Sequence, residues 1–329
     1  MMKLDHAKLI RACRLMIALA TGTLTSYLLK IPMSGWVMIT TCVVLFDQDT
    51  VGGTINRGKL RFWATFYGAL ISLVCIIFFP DNMIIVWSVI GITTFVYAYI
   101  YMGTAKSYIG VLGSATLAII LLGNNHHPDL HTAIYRIMDI AIGVIFALLS
   151  MLLFFPEYAL NRVRSIIIKS LTDISSLIQQ VKDERDLEKI NRYTQIIELS
   201  LLKDVISFNK TIDEAKHEIK AYKNPELLKR YSQCLLQIRR LYRLIIFIFY
   251  YELDEKQINN EQVHTVFNQI AIIIKNHSPA NRHYDSTSGY QHLNQNIALL
   301  EDSGFKRAIQ NFSRELQLLT DLISCPQSD

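Results

Sequence analysis

The chain has 329 residues, of which 51% are hydrophobic and only 19% charged, and its mean hydropathy is positive, an unusual balance for a water-soluble protein of this size. The net charge of +5 splits as +4 on residues 1–156 and +1 on the rest, so it builds no basic face of the kind nucleic acid requires. Five scattered cysteines without a C-x-x-C pair argue against a disulfide framework or a zinc site.

Charge divides the chain in two. Residues 1–156 carry 16 charged side chains and residues 157–329 carry 45, which predicts a transmembrane domain over 1–156 and a cytoplasmic helical domain over 157–329. In chain order, six apolar runs approach the length needed to cross about 30 Å of hydrocarbon. They cover Leu15 to Leu29, Ile31 to Phe46, Phe62 to Phe79, Met83 to Met102, Ser107 to Leu122 and Thr132 to Phe155. No small-residue cleavage site follows the first, which therefore reads as an uncleaved anchor.

Between the second and third runs, "GGTINRGKLRF" (52–62) carries Gly53, Gly58 and Lys59 at the spacing of a phosphate-binding loop, with Leu60 where Ser or Thr should reach magnesium. That motif needs a preceding strand in an α/β unit, and here it joins two apolar runs. The glycines are expected to turn the chain, and the cations to mark its cytosolic face.

Lys and Arg accumulate in cytoplasmic loops. Lys3, Lys8, Arg11 and Arg14 precede the first run, Arg57, Lys59 and Arg61 lie between the second and third, Lys106 between the fourth and fifth, and Arg162, Arg164 and Lys169 follow the sixth. The opposite side holds only Lys30, so both termini are expected in the cytosol. Small residues recur every fourth position in Ala18/Gly22/Ser26, Ala64/Gly68/Ser72, Gly110/Ser114/Ala118 and Gly143/Ala147, which predicts closely packed helices, since lipid gives them no hydrophobic drive to associate.

After Pro156 the pattern becomes amphipathic with helical spacing, in stripes beginning at Ile167, Ile190, Leu228, Val263 and Ile309. Asn224 before Pro225 reads as a helix N-cap, 276–289 as a long loop, and "LIIFIFYY" (244–251) as buried bundle core rather than a seventh span. The expected fold is all-α: a six-helix transmembrane bundle followed by a cytoplasmic helical bundle.

The stretch 31–70 resembles the fusaric acid resistance protein-like, aromatic acid exporter superfamily: Trp36 leads a span containing Thr40 and Thr41, then come Arg61, Thr65 and Gly68, with Ala64 replacing a Gly. "KSYIGVLGSATLAIILLG" (106–123) and "YRIMDIAIG" (135–143) follow in the same order. The resemblance implies an inner-membrane exporter of small organic anions, aromatic carboxylates foremost; the sequence itself carries no hydrolase or transferase constellation and no nucleotide fingerprint, so neither an enzyme nor an ATP-driven pump is expected. Larger members repeat both units, so a homodimer is the economical expectation for one unit of each. Whether an outer-face adaptor protein takes part stays open. An anion channel of similar layout, or a non-transporting scaffold or sensor, are the alternatives.

The candidate path residues are Arg136, Asp139, Arg61, Trp36, Thr40 and Thr41. Arg136 and Asp139 share a helix face inside the sixth run, where ionisable groups normally face a bundle interior or water. Arg136 either docks a carboxylate, with Asp139 holding it or exchanging a proton, or snorkels outward with Asp139 as a folding partner. Arg61 either marks topology or serves substrate entry. Trp36 is an interfacial anchor or an aromatic wall, and Thr40 and Thr41 bond along their own helix or line a path. No cofactor is called for, and "NNHHPDLH" (124–131) reads as a solvated turn rather than a metal site.

Overall fold

In hydrocarbon the backbone polar groups must be satisfied within their own segment, which drives an apolar chain into helices. The computed structural model describes residues 6–31, 34–46, 48–79, 82–104, 106–122, 130–181, 187–219, 224–248, 261–276, 286–300 and 303–324. Among these are twelve α-helices of eleven or more residues, in two compact units, 1–159 and 160–329.

The first unit holds α1 (His6–Leu28), α2 (Gly35–Leu45), α3 (Val51–Phe78), α4 (Met83–Tyr101), α5 (Ser107–Leu122) and α6 (Leu130–Leu153). Helices α1, α3, α4 and α6 are long and apolar enough to cross a membrane. The stretches expected as the second and fifth spans are also apolar helices, but at 11 and 16 residues they rise only about 16 and 24 Å.

Helices α3 and α6 form the central pair, with α5 and α4 on one side and α2 and α1 on the other. Close approach fixes their registers. A Cβ on Gly68 of α3 would stand 2.7 Å from the Gly113 carbonyl of α5, and one on Gly143 of α6 would stand 2.7 Å from Thr40 Cβ of α2. Gly58 meets Val144, while Ala69 packs with Ala133, so α3 and α6 run antiparallel.

The segment expected to turn between the second and third spans is instead the first three turns of α3. Thr50 caps it by accepting from the Gly53 N–H at 3.0 Å. Gly52, Gly53 and Gly58 are buried inside the helix. Gly58 serves close packing, since a Cβ there would stand 2.8 Å from Val144 Cγ1, and Arg61 lies ten residues in rather than at the helix start.

Arg14 ties α1 to the end of α6. Its Nε donates to Phe154 O at 2.9 Å, its Nη2 donates to Phe155 O, and its Nη1 lies 2.8 Å from Met151 Sδ. Carbonyls past the last helical turn lack intrahelical partners, and a cation suits that negative end of the helix dipole. Phe155 has φ of 54°, a left-handed conformation costly for a bulky residue, and the Arg14 bond to its carbonyl helps hold it.

The second unit comprises α7 (Ala159–Val181, whose first residue belongs to the other unit), α8 (Leu187–Ala215), α9 (Pro225–Phe247), α10 (Glu261–Asn276), α11 (Ser286–Ala298) and α12 (Ser303–Ser324). Its core runs through all six, including Ile174, Ile178, Phe208, Ile238, Leu241, Ile270, Leu293, Ile309 and Phe312. A buried carboxylate clamps α7 to α8: Asp204 accepts from the exposed Lys169 Nζ at 2.6 Å and from the buried Ser170 Oγ at 3.1 Å.

Three local expectations need adjustment or bounds. Asn224 precedes α9 but makes no side-chain capping bond. Helix α11 already begins at Ser286, so the loop read over 276–289 is shorter at that end. Ile245 and Ile248 are buried as expected of "LIIFIFYY", whereas 249–251 lie outside the described residues.

Two measurements test the packing. Gly68→Ala should lower the detergent melting temperature by the equivalent of about 1–3 kcal/mol, as overpacking does, whereas Gly91→Ala, with nothing within 4 Å of its added Cβ, should not. Burial pushes the Cys234 thiol up to about 11, so its thiolate is scarce below that pH. It should resist iodoacetamide at pH 8.5 in the folded protein and react on denaturation, read by mass spectrometry.

Candidate functional site

The helix registers bring polar side chains from four helices to one level. Because α3 and α6 are antiparallel with Gly58 at Val144 and Ala69 at Ala133, Arg61 stands level with Ala141, and Asp139 and Arg136 follow within about a turn and a half. Helix α2 runs parallel to α6, with Thr40 at Gly143, which sets Trp36 level with Asp139. Helix α5 runs parallel to α3, with Gly113 and Thr116 at Gly68 and Ile120 at Ala69, which sets Tyr108 level with Arg61.

Arg136 and Asp139 are each 1% exposed and Arg61 is 4% exposed. Arg136 therefore does not snorkel out of the bundle. It does not form a salt bridge with Asp139 either; its guanidinium lies over the Trp36 ring, 3.7 Å from the centroid. The guanidinium of Arg57, one turn before Arg61, stacks on the Tyr108 ring at 3.8 Å. Arg136 also feels the repulsion of Arg61 and the attraction of Asp139.

Several buried polar atoms of this layer have no hydrogen-bond partner: Arg57 Nε, Arg61 Nε, Arg136 Nε and Nη1, Thr40 Oγ1, Thr65 Oγ1 and Asp139 Oδ2, while the Tyr108 hydroxyl lies near the Arg57 and Arg61 guanidiniums. Each such group costs on the order of 1–3 kcal/mol unless a partner arrives. Thr41 differs, since its Oγ1 donates to the carbonyls of Val37 (2.9 Å) and Gly143 (3.1 Å), stitching α2 to α6. Three guanidiniums against one carboxylate make the layer net cationic, between two aromatic faces.

All six path residues named from the sequence lie at or beside this layer. Trp36 is half-buried against Arg136, Thr40 is buried and unbonded, and Thr41 is consumed by packing. Tyr108 was missed as a site residue. Its role depends on a register set by Gly68 and Gly113, for which a single sequence carries no signal beyond a Tyr at a span start. Lys59 is exposed. Most of 124–131 lies outside the described residues; His131 stacks with Tyr135. Among the described residues, no three His, Cys, Asp or Glu side chains are grouped to hold a metal.

The family model of the fusaric acid resistance protein family matches residues 8–303. The chain belongs to that family. Members of the family are transporters rather than enzymes. The chain is thus a multi-pass membrane protein of a transport family. It is also similar to the inner membrane protein YeeA of Escherichia coli strain K12, with 24% identity over 242 residues. That match covers 71% of this chain and 66% of YeeA, just under two thirds of the relative's length.

The Trp36–Arg136 stack is testable by a double-mutant cycle. Trp36→Leu should cost about 0.5–2 kcal/mol of thermal stability in detergent when Arg136 is present, and much less in an Arg136→Met background. Trp36→Phe should keep most of the stability.

Proposed function

We propose that the chain is an inner-membrane exporter of small organic anions, with aromatic carboxylates as the favoured class. The observation that carries this reading is the pair of buried guanidiniums, Arg61 and Arg136, with N–H donors unpaired and Trp36 and Tyr108 rings beside them. Arg presents a planar fork that matches a carboxylate in two parallel bonds. The aromatic faces suit a ring attached to it.

In this reading Arg136 docks the carboxylate and Arg61 receives it one step along the path. Asp139 orients the guanidiniums or exchanges a proton, while Thr40 and Thr65 offer hydroxyls to the passing anion. Thr41 serves packing. Six crossings put both termini in the cytosol, with the short α2 and α5 completing the bundle and the second unit lying on the cytosolic side. Moving one elementary charge across the membrane is worth about 2.3 kcal/mol per 100 mV, so an interior-negative potential already drives an anion outward without ATP. A homodimer supplies the second membrane unit that larger family members carry in one chain, and an outer-face adaptor would be a partner beyond it.

The test is an efflux screen of labelled aromatic and aliphatic carboxylates from cells with and without the protein, repeated with Arg136→Gln and Arg61→Gln after verifying membrane assembly. Export of an aromatic carboxylate should fall at least tenfold in either variant. Wild-type export by a well-assembled Arg136→Gln protein would reject the docking role. Ion currents far above carrier turnover in planar bilayers would identify a channel, and no flux of any anion would leave the membrane unit an anchor.

A further inference from the structure

Among the described residues of the second unit, α8 carries an exposed apolar face. Helix α8 buries Ile190, Ile197, Leu201, Phe208 and Ile212 in its core. On its opposite side Ile196, Leu199, Leu202 and Ile206 are 58%, 59%, 56% and 64% exposed. At 100° per residue these four fall within a third of a turn of one another, about 170° from the buried stripe. A contiguous apolar patch of this kind, on a helix otherwise edged with charge, marks an interaction site.

The charges flanking the patch say what covers it. Taking Leu199 and Ile206 as a positions and Leu202 as d of a heptad, Glu198 occupies g and Lys203 and Lys210 occupy e. In a parallel pair, g of one helix meets e of the next heptad on the other. Glu198 of one copy therefore faces Lys203 of a second copy, five residues on, and the reverse holds by symmetry. An antiparallel pair would instead set e against e, lysine against lysine. Glu198 and Lys203 are both exposed, and neither forms an ion pair within the described residues.

We propose that α8 is a self-association surface: two copies of this chain pair in parallel through Leu199, Leu202 and Ile206, with reciprocal Glu198–Lys203 ion pairs fixing the register. The pairing rests on the two-copy reading above and specifies its cytosolic half. Eight residues, little more than one heptad, are marginal alone as a coiled coil. Confinement of both copies to one membrane raises their effective concentration and makes so short a zipper sufficient.

The test uses the full-length protein in native membranes. Leu199→Cys and Ile206→Cys, each alone, should give a disulfide-linked species of twice the monomer mass under mild oxidation. Leu236→Cys, an exposed leucine on α9, should not. Glu198→Lys or Lys203→Glu should each reduce cross-linking at Leu199→Cys at least fivefold, and the two together should restore it. Cross-linking only at Leu202→Cys would mean an antiparallel pair and overturn the proposal. A dimer by light scattering with no cross-link at any α8 position would reject this surface while leaving the two-copy reading intact, and a monomer would reject both. Quenching of a bimane at Leu199→Cys by brominated lipid would reassign the face to the bilayer.

Discussion

The distance at which α3 can approach its two neighbours governs everything else in the membrane unit. Lipid tails are as apolar as leucine, so helices associate through van der Waals fit and hydrogen bonds rather than by escaping water. Glycine on α3 at 58 and 68, with Gly113 on α5 and Gly143 on α6, brings backbone against side chain or backbone at contact distance. Such contacts admit little sliding, because a Cβ at Gly68 or Gly143 would already stand 2.7 or 2.8 Å from the Gly113 or Val37 carbonyl. The register set this way brings Trp36, Arg61, Tyr108, Arg136 and Asp139 to one level, though no two of them except Arg136 and Asp139 are close in sequence. The helix ends are secured separately. Arg14 holds the chain past α6, Arg11 pairs with Asp49 at 2.5 Å, and the Val51 N–H donates to Glu157 O at 2.9 Å.

Burying guanidiniums in such a bundle carries a cost that salt bridges usually offset, and here the partners are aromatic faces. A cation over an indole is stabilised by the ring quadrupole, by about 2 kcal/mol when both are desolvated. Stacking leaves the guanidinium edge free, whereas a carboxylate partner would consume those N–H donors. The arrangement thus retains charge and unsatisfied donors together, which a lysine could not do, because its ammonium offers no plane to stack.

Helices and cores were legible because they follow from periodicity; the charge content changes near residue 156, and the chain divides into compact units between residues 159 and 160. The apolar stripes starting at Ile167, Ile190, Leu228 and Ile309 are the buried core of the second unit. The start of α3 was not legible in the same way. Arg57, Lys59 and Arg61 lower the hydropathy of any window that contains them, and glycines ordinarily signal turns, so the pattern reads as a loop. Helix formation prevails because Thr50 caps the N-terminus and Gly58 fits against Val144 where a larger residue would clash. Likewise Arg136 and Asp139 were visible as a same-face pair, but the Trp36 partner depends on where α2 lies against α6. The exposed stripe on α8 was also hidden, since two apolar faces on one helix blur into general hydrophobicity.

On the export reading, the aromatic stacks bear on release as much as on binding. A path residue that held an anion only by opposite charge would leave a bare buried cation when the anion departed, and that cost would slow each turnover. Trp36 gives Arg136 something to rest against when no anion is present, and Tyr108 holds Arg57, one turn before Arg61, in the same way. Asp139, within the field of Arg136, lowers the net positive charge of the layer without neutralising a guanidinium directly. At Arg136, binding is then a difference between two partnered states rather than between a paired and a naked charge. A site built that way can admit a carboxylate into the interior of the membrane and still let it go.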